Sequence, residues 1–503
     1  MRKLLLLLCL LTSYSISYAQ IELPSIIGDN MVLQRNSKAK IWGKTQKNKP
    51  VEVSVSWNNK KYTTTAKEDG KWEVLVDTQE AGGPYTITIK SNKDSKTLTN
   101  ILLGDVWVCS GQSNIEMPVK GLMGQPVKNS LDAIIESESF PQIHMYTAKQ
   151  VPALSPQDDV PGEWAQASIE TTGDFSAVGY FYAKALHQVT KIPIGMVHFS
   201  WGGASIETWM SKNALNKYEH VDLDNIEIHP SVPQQIPTLL YNGMLMPLTN
   251  FTVKGFIWYQ GETNIPNYHQ YTSLFSDLVY EWRALFNGGE EMPFYYVQIA
   301  PFQYDGPDKR ESAFLREAQL KCLDVVPNTG MAVTMDKGEL ECIHPSEKEI
   351  VGKRLAYQAL AKTYGYESFP CDGPLVDNVE EKEGKLLVRF KNADLGLYPM
   401  FKNLEGFELA GENKEFYPAK AVVPNFGNVL EVSSDDVPSP KYVIYGFRNY
   451  LTGSLYNGEG LPASSFRTDF YILFIGLVRN EKSIKSEKEI VVSCNAFRLI
   501  SVG

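Results

Sequence analysis

Cysteine is scarce in this chain, and the motifs that bind zinc are missing. Six cysteines occur among 503 residues at irregular spacing, and neither a C-x-x-C nor an H-E-x-x-H motif is present. The sequence therefore predicts neither a disulfide framework nor a structural or catalytic metal site. The cysteines beyond the first twenty residues are odd in number: Cys109, Cys322, Cys342, Cys371 and Cys494.

Blocks of positive charge and membrane-spanning apolar runs are also absent. The formal net charge is −10 with no basic block, which argues against nucleic acid as a partner. The same charge would repel an acidic polymer, although a small acidic sugar could still find a local basic pocket. The apolar runs Leu4 to Leu11 and Phe470–Val478 are too short to cross a bilayer, so stable membrane insertion is not predicted. Oligomeric state is left open.

Residues 1–19 have the composition of an export signal. Arg2-Lys3 precedes an apolar run, and Ser17-Tyr18-Ala19 offers a small-x-small cleavage site. Cys9 lies inside the apolar run, which disfavours a lipoprotein signal. We expect this segment to be removed and the mature protein to be periplasmic or extracellular.

Three patterns divide the rest of the chain. Residues 20–100 form short alternating runs such as Val51–Trp57, which predict a β-sandwich. Residues 101–370 alternate strand-like and helix-like runs, which predicts an α/β domain whose mostly parallel sheet is covered on both faces. Residues 371–470 predict a β-rich region, and residues 471–503 form a tail without an assigned role. In the α/β domain, strands are predicted at Ile101–Cys109, Ile192–Ser200, Val253–Tyr259, Phe294–Ala300 and Met331–Met335, and helices at Phe175–Val189, Tyr268–Phe286, Arg310–Cys322 and Glu347–Lys362.

Chemically active residues concentrate where these strands end. The strand Ile101–Cys109 runs into a glycine-containing turn that presents Ser113. A serine hydroxyl becomes a nucleophile when a base takes its proton and hydrogen-bond donors receive the oxyanion. Polar segments follow three other strands, at Ser200–Ser205, Trp258–Asn264 and Glu341–Pro345. In a parallel sheet these segments meet at one edge, as an acyl-transfer site requires.

Each candidate residue also has a structural interpretation. Ser113 could cap the following helix, Gly202-Gly203 could form only a tight turn, and Gln260 could be a buried amide with satisfied hydrogen bonds. His344 precedes a proline and a helix-like stretch, so it could itself be a cap. The sequence has no G-x-S-x-G motif, so the nucleophile elbow of the α/β-hydrolases is not present.

Four sequence blocks lie at these strand ends: Gly104–Pro118 (GDVWVCSGQSNIEMP), Ser200–Met210 (SWGGASIETWM), Gly255–Asn264 (GFIWYQGETN) and His344–Ala356 (HPSEKEIVGKRLA). Together they resemble the sialate O-acetylesterases, carbohydrate esterases of the SGNH-hydrolase group. Further blocks extend the resemblance over roughly residues 21 to 470. It implies an SGNH-type, flavodoxin-like parallel sheet with flanking β-rich, sandwich-like domains.

The resemblance also implies a role for each block. Ser113 would be the nucleophile and His344 the general base. The oxyanion hole would hold the backbone N–H groups of Ser113 and of Gly202 or Gly203. The side chain of Gln260 would be its third donor. The implied reaction agrees with general chemistry, because histidine takes the serine proton, an acetyl-enzyme forms, and water releases acetate without a cofactor.

The acid partner of the histidine departs from the family pattern. SGNH enzymes commonly place aspartate three residues before the histidine, where this chain has Glu341. Cys342 stands where the subfamily often has aspartate. Glu341 is our candidate, with Asp336 and Glu339 as competitors. A Ser–His dyad oriented by a backbone carbonyl is a further alternative.

Aromatic and polar side chains beside these loops are candidates for sugar binding. Trp201, Trp209 and Trp258-Tyr259 flank the loops, and we expect one of these four rings to pack against the sugar unless all belong to the core. Glu262 and Asn264 could bind sugar hydroxyls or simply brace the loops.

These observations predict an exported serine esterase that removes O-acetyl groups from sialic acids, 9-O-acetyl groups among them. The first alternative is the same chemistry on other acetylated glycans such as xylan. A basic side chain in the pocket would favour sialic acid, because it would face the sugar carboxylate. The second alternative is a glycan-binding protein with a degenerate site, which the replaced acid residue would explain.

Overall fold

The computed structural model describes residues 20–399 and 403–469. The predicted export signal at 1–19 and the tail at 471–503 lie outside the described residues. Within the described ranges, no helix combines the length and apolar character needed to cross a membrane. The four cysteines in those ranges are unpaired: Cys109, Cys322, Cys342 and Cys371.

The described chain forms two compact units. The first comprises the residues up to Asp372 together with Arg448–Thr452. The second comprises Gly373–Phe447 and the described residues from Gly453 onward.

The N-terminal part of the first unit consists of β-strands. In the strand Pro50–Val55 every second side chain is buried, as the alternating valines predict. The strand Asp94–Gly111 is 18 residues long; it pairs with Gly82–Ser91 and then continues into the central sheet. The predicted domain boundary at residue 100 therefore falls inside one continuous strand. The strands are β1 (Val32–Gln34), β2 (Lys38–Lys44), β3 (Pro50–Val55), β4 (Lys61–Thr65), β5 (Lys71–Asp77), β6 (Gly82–Ser91) and β7 (Asp94–Gly111).

The central sheet is built around β7. Its other strands are β8 (Ile143–Ala148), β9 (Gly162–Gln166), β10 (Ile194–Ser200), β11 (Gly255–Tyr259), β12 (Phe294–Val297) and β13 (Thr329–Ala332). The order is β13-β12-β11-β7-β10-β8-β9, and every neighbouring pair is parallel except β8 with β9. The chain adds β8 and β10 on one side of β7 and then crosses to the other side. Ligands of parallel sheets bind at the carboxyl ends of the strands around such a reversal.

Helices cover both faces of this sheet, which confirms the predicted α/β class. Trp107 and Ile257 are buried under α3 and α7, whereas Val106 and Trp258 are buried under α5 and α6 on the opposite face. The helices are α1 (Ser113–Glu116), α2 (Ser130–Glu136), α3 (Ala177–Thr190), α4 (Lys212–Leu215), α5 (Tyr268–Leu285), α6 (Glu311–Val325) and α7 (Lys348–Lys362). Short 3₁₀ or π turns lie at Ser137–Ser139, Thr172–Asp174, Glu207–Trp209, Pro233–Gln235, Tyr241–Leu245, Met246–Leu248 and Glu262–Asn267.

The second unit is β-rich, as predicted. It contains two four-stranded antiparallel sheets around a core that includes Val388, Leu430 and Val443. Its strands are β14 (Leu375–Lys382), β15 (Lys385–Lys391), β16 (Leu397–Tyr398), β17 (Phe407–Ala410), β18 (Tyr417–Pro418), β19 (Lys420–Val422), β20 (Val429–Ser433), β21 (Tyr442–Tyr445), β22 (Tyr456–Asn457) and β23 (Phe466–Arg467), with a 3₁₀ turn at Pro424–Phe426.

Candidate active site

The carboxyl end of β7 presents Ser113 at the start of α1. Gly111 has φ = 141°, and a Cβ atom there would collide with the carbonyl oxygen of Tyr259 on β11. Glycine is therefore required where the strand ends. The backbone N–H of Gln112 donates to the same carbonyl oxygen at 3.0 Å. Ser113 follows, half-buried, and its Oγ makes no hydrogen bond to any residue that the structure describes.

Ser113 lines a cavity of about 1100 Å³, which is large enough for a sugar. The lining mixes apolar and polar side chains, and its charged side chains are mostly acidic. The loop from β8, the end of β10 and the start of α1 all contribute to it. Its charged side chains are four carboxyls and one ammonium: Glu116, Glu163, Glu170 and Asp174 against Lys149.

The loop after β10 places Gly202 beside Ser113, as the predicted meeting of the strand ends requires. A Cβ atom at Gly202 would lie 3.4 Å from Cβ of Ser113 and 3.2 Å from Oε2 of Glu116. A side chain at this position would therefore crowd both groups. Gly203 follows with φ = 75°, a left-handed conformation that suits glycine.

Glu116 lies beside this loop and Ser113, and it was not among the predicted site residues. Nε2 of Gln150 donates to its Oε1 at 2.8 Å. Burial raises the pKa of the Glu116 carboxyl, and hydrogen bonds from the Gly202 backbone and from Gln150 oppose that rise. The sequence feature that could have identified Glu116 is its position three residues after Ser113, within the same helical turn.

Gln260 is fully buried, and its amide is used inside the protein. Nε2 donates to the carbonyl oxygen of Ala204 at 3.2 Å and to Oδ1 of Asn264 at 2.7 Å. Oε1 accepts from the Tyr271 hydroxyl at 3.0 Å. Because both amide protons are engaged, the structure leaves none for the oxyanion role that we predicted for Gln260. The structural interpretation of this residue, a satisfied buried amide, fits the geometry.

Asn264 and Glu262 brace loops in the structure. Nδ2 of Asn264 donates to both carboxylate oxygens of Glu207, at 3.1 and 3.0 Å. Oε1 of Glu262 accepts from Nδ2 of Asn114 at 2.6 Å. Both residues are buried, at 2% and 8% exposure, so the bracing alternative fits them better than contact with a sugar.

A second set of bonds joins the segment of Ser113 to the segment of His344. Nδ2 of Asn114, the residue after Ser113, also donates to the carbonyl oxygen of Ile343 at 3.1 Å. Nζ of Lys348, on α7, donates to Oδ1 of Asn114. The residue before the predicted base is thus held beside the residue after the predicted nucleophile.

His344 is half-buried, and the partner of its Nδ1 is an amide. Nδ1 lies 2.6 Å from Oε1 of Gln125. Among the described residues, no hydrogen bond joins His344 to Ser113, a contact that in enzymes without substrate is often long. Glu341 is exposed and makes no hydrogen bond or ion pair within residues 20–399 and 403–469. The structure therefore does not bring Glu341 to the imidazole as we predicted.

The two competing carboxylates are also engaged elsewhere. Asp336 forms a two-pronged ion pair with Arg354, at 2.6 and 2.8 Å. Glu339 accepts from the backbone N–H and the hydroxyl of Ser346, both at 2.8 Å. Each carboxylate thus stabilises the loop around His344 without touching its ring.

Electrostatics keep the His344 imidazole neutral. Burial and the nearby charge of Lys348 lower the pKa of His344 to about 4. Burial also lowers the pKa of Lys348 to about 7, although Glu262, Cys342 and Glu339 oppose this. A neutral imidazole is the form that can accept a proton from serine.

A second serine–histidine pair lines the same cavity and was not predicted. Nε2 of His198 lies 2.7 Å from Oγ of Ser200, and both residues are nearly buried. Burial lowers the pKa of His198 to about 4. The sequence signal was their spacing, because residues two apart on a strand share a face.

Of the four aromatic candidates, Trp209, Trp258 and Tyr259 are at most 1% exposed and belong to the core. Trp201 is half-buried and remains the candidate for a sugar contact. In the part of the chain that the structure describes, no cluster of three or more His, Cys, Asp or Glu side chains is placed to hold a metal ion.

The part of the chain that carries this site matches a family of carbohydrate esterases. Residues 103–361 match the family model described as carbohydrate esterase, sialic acid-specific acetylesterase. The chain is 29% identical over 415 residues to the sialate O-acetylesterase of Mus musculus, covering 71% of this chain and 76% of that protein. It is 30% identical over 387 residues to that of Pongo abelii, covering 71% and 73%.

A solved structure matches most of the chain. A carbohydrate acetylesterase from Xanthomonas citri is 34% identical and covers 90% of this chain and 100% of its own, with a TM-score of 0.81. This likeness confirms the predicted fold, a parallel sheet with β-rich flanks.

Proposed function

The chain belongs to the family of sialic acid-specific acetylesterases, and from that premise we propose that it is an exported serine esterase that removes O-acetyl groups from sialic acids. The observation that carries the proposal is Ser113, unbonded at its Oγ at the end of the central strand, beside Gly202 and open to a large cavity. Family membership also supports an esterase over a non-catalytic glycan-binding protein.

In the proposed mechanism the Oγ of Ser113 attacks the acetyl carbonyl carbon while Nε2 of His344 takes its proton. The tetrahedral oxyanion accepts hydrogen bonds from the backbone N–H groups of Ser113 and of Gly203, because the backbone N–H of Gly202 already bonds to Glu116. The histidine then gives its proton to the departing sugar oxygen, which leaves an acetyl-enzyme. Water, activated by the same histidine, releases acetate.

The export part of the proposal rests on residues 1–19. A charged start, an apolar run and Ser17-Tyr18-Ala19 support cleavage after Ala19 and a periplasmic or extracellular location.

A second candidate substrate class, neutral acetylated glycans such as xylan, is favoured by one observation. The cavity beside Ser113 carries four carboxyl side chains and one lysine, Lys149. An acidic wall disfavours the carboxylate of a sialic acid and leaves a neutral sugar unaffected.

We expect Lys149→Gln to separate the two substrate classes. Lys149 supplies the cationic charge of the lining, so its loss should lower kcat/KM for 9-O-acetylated sialic acid about two- to fivefold. Activity on acetylated xylan should not change. The measurement is acetate release from both substrates by the wild-type and variant proteins. Higher wild-type kcat/KM on xylan, with an equal response of both substrates to the variant, would favour the neutral class.

We expect kcat/KM to persist to unusually low pH. A general base must be neutral, so activity is lost as pH falls through its pKa. That pKa is about 4 for His344 against the ordinary value of about 6.5. The check is a pH profile of p-nitrophenyl acetate hydrolysis, corrected for spontaneous hydrolysis.

Lys348→Met tests why activity persists to low pH. Removing the charge of Lys348 should move the acidic limb of the pH profile, where activity falls as the pH falls, to higher pH. Lys353→Met, on the same helix and ion-paired with Glu349, is the matched control and should leave it in place. An acidic limb near pH 6.5 in the wild-type protein would contradict the expectation that burial and Lys348 lower the pKa of His344.

A further inference from the structure

A tight turn holds Gln125 beside His344. Leu122 and Gln125 exchange two backbone hydrogen bonds of 2.9 Å, which closes the turn between them. Three residues later, the backbone N–H of Lys128 donates to the carbonyl oxygen of Ser346 at 3.0 Å. The turn is thus closed by its own backbone bonds and anchored to the segment that carries the histidine, so the backbone on both sides places Gln125.

The contact between the amide and the ring determines the tautomer of His344. Oε1 of Gln125 is an acceptor, so Nδ1 at 2.6 Å carries the proton and donates it. Nε2 then has the lone pair that a general base needs. This is the arrangement that a triad aspartate enforces, although here the acceptor is uncharged.

The nearby carboxylates do not take this place. Glu341 is exposed, while Asp336 and Glu339 are bonded to Arg354 and Ser346. Burial and the positive charge of Lys348 lower the pKa of the His344 imidazole, and no carboxylate contributes to this shift.

We propose that Gln125 is the positioning residue of His344 and stands where the acid of a Ser–His–Asp triad would stand. The proposal rests on the proposed function, since it requires His344 to act as the base. An amide orients the ring and fixes the tautomer, but it cannot compensate the positive charge that the imidazolium acquires in the transition state. The His344 ring is therefore oriented as in a triad but lacks the charge compensation that a carboxylate would give.

Two substitutions at this position separate orientation from charge. Gln125→Ala removes the acceptor and should lower kcat for p-nitrophenyl acetate about tenfold or more, with KM little changed. Gln125→Glu keeps the acceptor and adds a negative charge. It should restore or raise kcat at neutral pH and move the acidic limb up by about one to two pH units, because an opposite charge favours the imidazolium.

Met123→Ala is the matched control, because Met123 is fully exposed in the same turn. It should leave both kcat and the pH limb at wild-type values. Circular dichroism of all three variants checks that the fold is retained.

Two outcomes would overturn the proposal. One is wild-type kcat in Gln125→Ala. The other is an active Gln125→Glu enzyme whose acidic limb does not move, since a purely structural side chain would not change the titration of the base. Failure of the proposed function looks different: a Ser113→Ala protein that keeps full activity would remove the Ser–His mechanism whatever happens at Gln125.

Discussion

Ser113→Ala is expected to lower acetate release by at least about 10⁴-fold while leaving the fold intact. The rate falls because the substitution removes the atom that we propose forms the acetyl-enzyme, so that only the binding and oxyanion contributions remain. The fold persists because Oγ of Ser113 makes no hydrogen bond to the described residues, so nothing is left unsatisfied. Initial rates on p-nitrophenyl acetate and on an acetylated sugar, with a thermal melt beside them, measure both effects.

The same cavity holds a competing hydroxyl, which makes a covalent label the sharper control. Ser200 bonds to His198 at 2.7 Å, so its hydroxyl is the competing candidate for acylation. A fluorophosphonate should modify the wild-type protein once, on the peptide that contains Ser113, and should fail to modify Ser113→Ala. A label on Ser200, or undiminished turnover in the variant, would reverse the assignment of the nucleophile.

The sequence predicted the parts of the site that depend on local pattern and on sheet topology. The strands β7, β10 and β11 were recognisable from their apolar runs, and a parallel sheet must gather their carboxyl ends. That rule predicts that Ser113 and Gly202 lie close together, and the structure places them side by side. The extent of β7 could not be predicted from pattern. Residues 94–100 are polar and resemble the end of the predicted sandwich, whereas they begin a strand that continues into the central sheet.

Side-chain partners were the part that the sequence could not predict. Gln125 and His344 are 219 residues apart, and the amide lies in a short turn without a motif. Glu341 has the expected spacing but points to solvent, because spacing along a chain does not fix which way a loop turns. Gln260 matched the family pattern, yet its protons are taken by Ala204 and Asn264. Hydrogen-bond competition of this kind is decided by tertiary neighbours.

Gly111→Ala is expected to be the most destabilising single substitution at the site, by about 3 kcal/mol or more. Two effects add: alanine disfavours φ = 141°, and its Cβ would overlap the carbonyl oxygen of Tyr259. That oxygen is backbone in the neighbouring strand and also accepts from Gln112, so relief of the overlap would pull β7 away from β11.

Gly289→Ala separates the two effects. Gly289 also has a positive φ, 63°, but a Cβ there would meet nothing within 4 Å. The Gly289→Ala variant should therefore lose only the conformational part of the free energy of unfolding, about 1 kcal/mol. Urea unfolding of both variants compares their free energies of unfolding. Turnover measured well below the unfolding midpoint shows whether each folded variant is still active. If the overlap matters, Gly111→Ala loses turnover even where it is still folded, since the strand end that sets the position of Ser113 has moved. Equal losses of stability in the two variants, with turnover unchanged, would mean that the end of β7 adjusts without displacing the nucleophile.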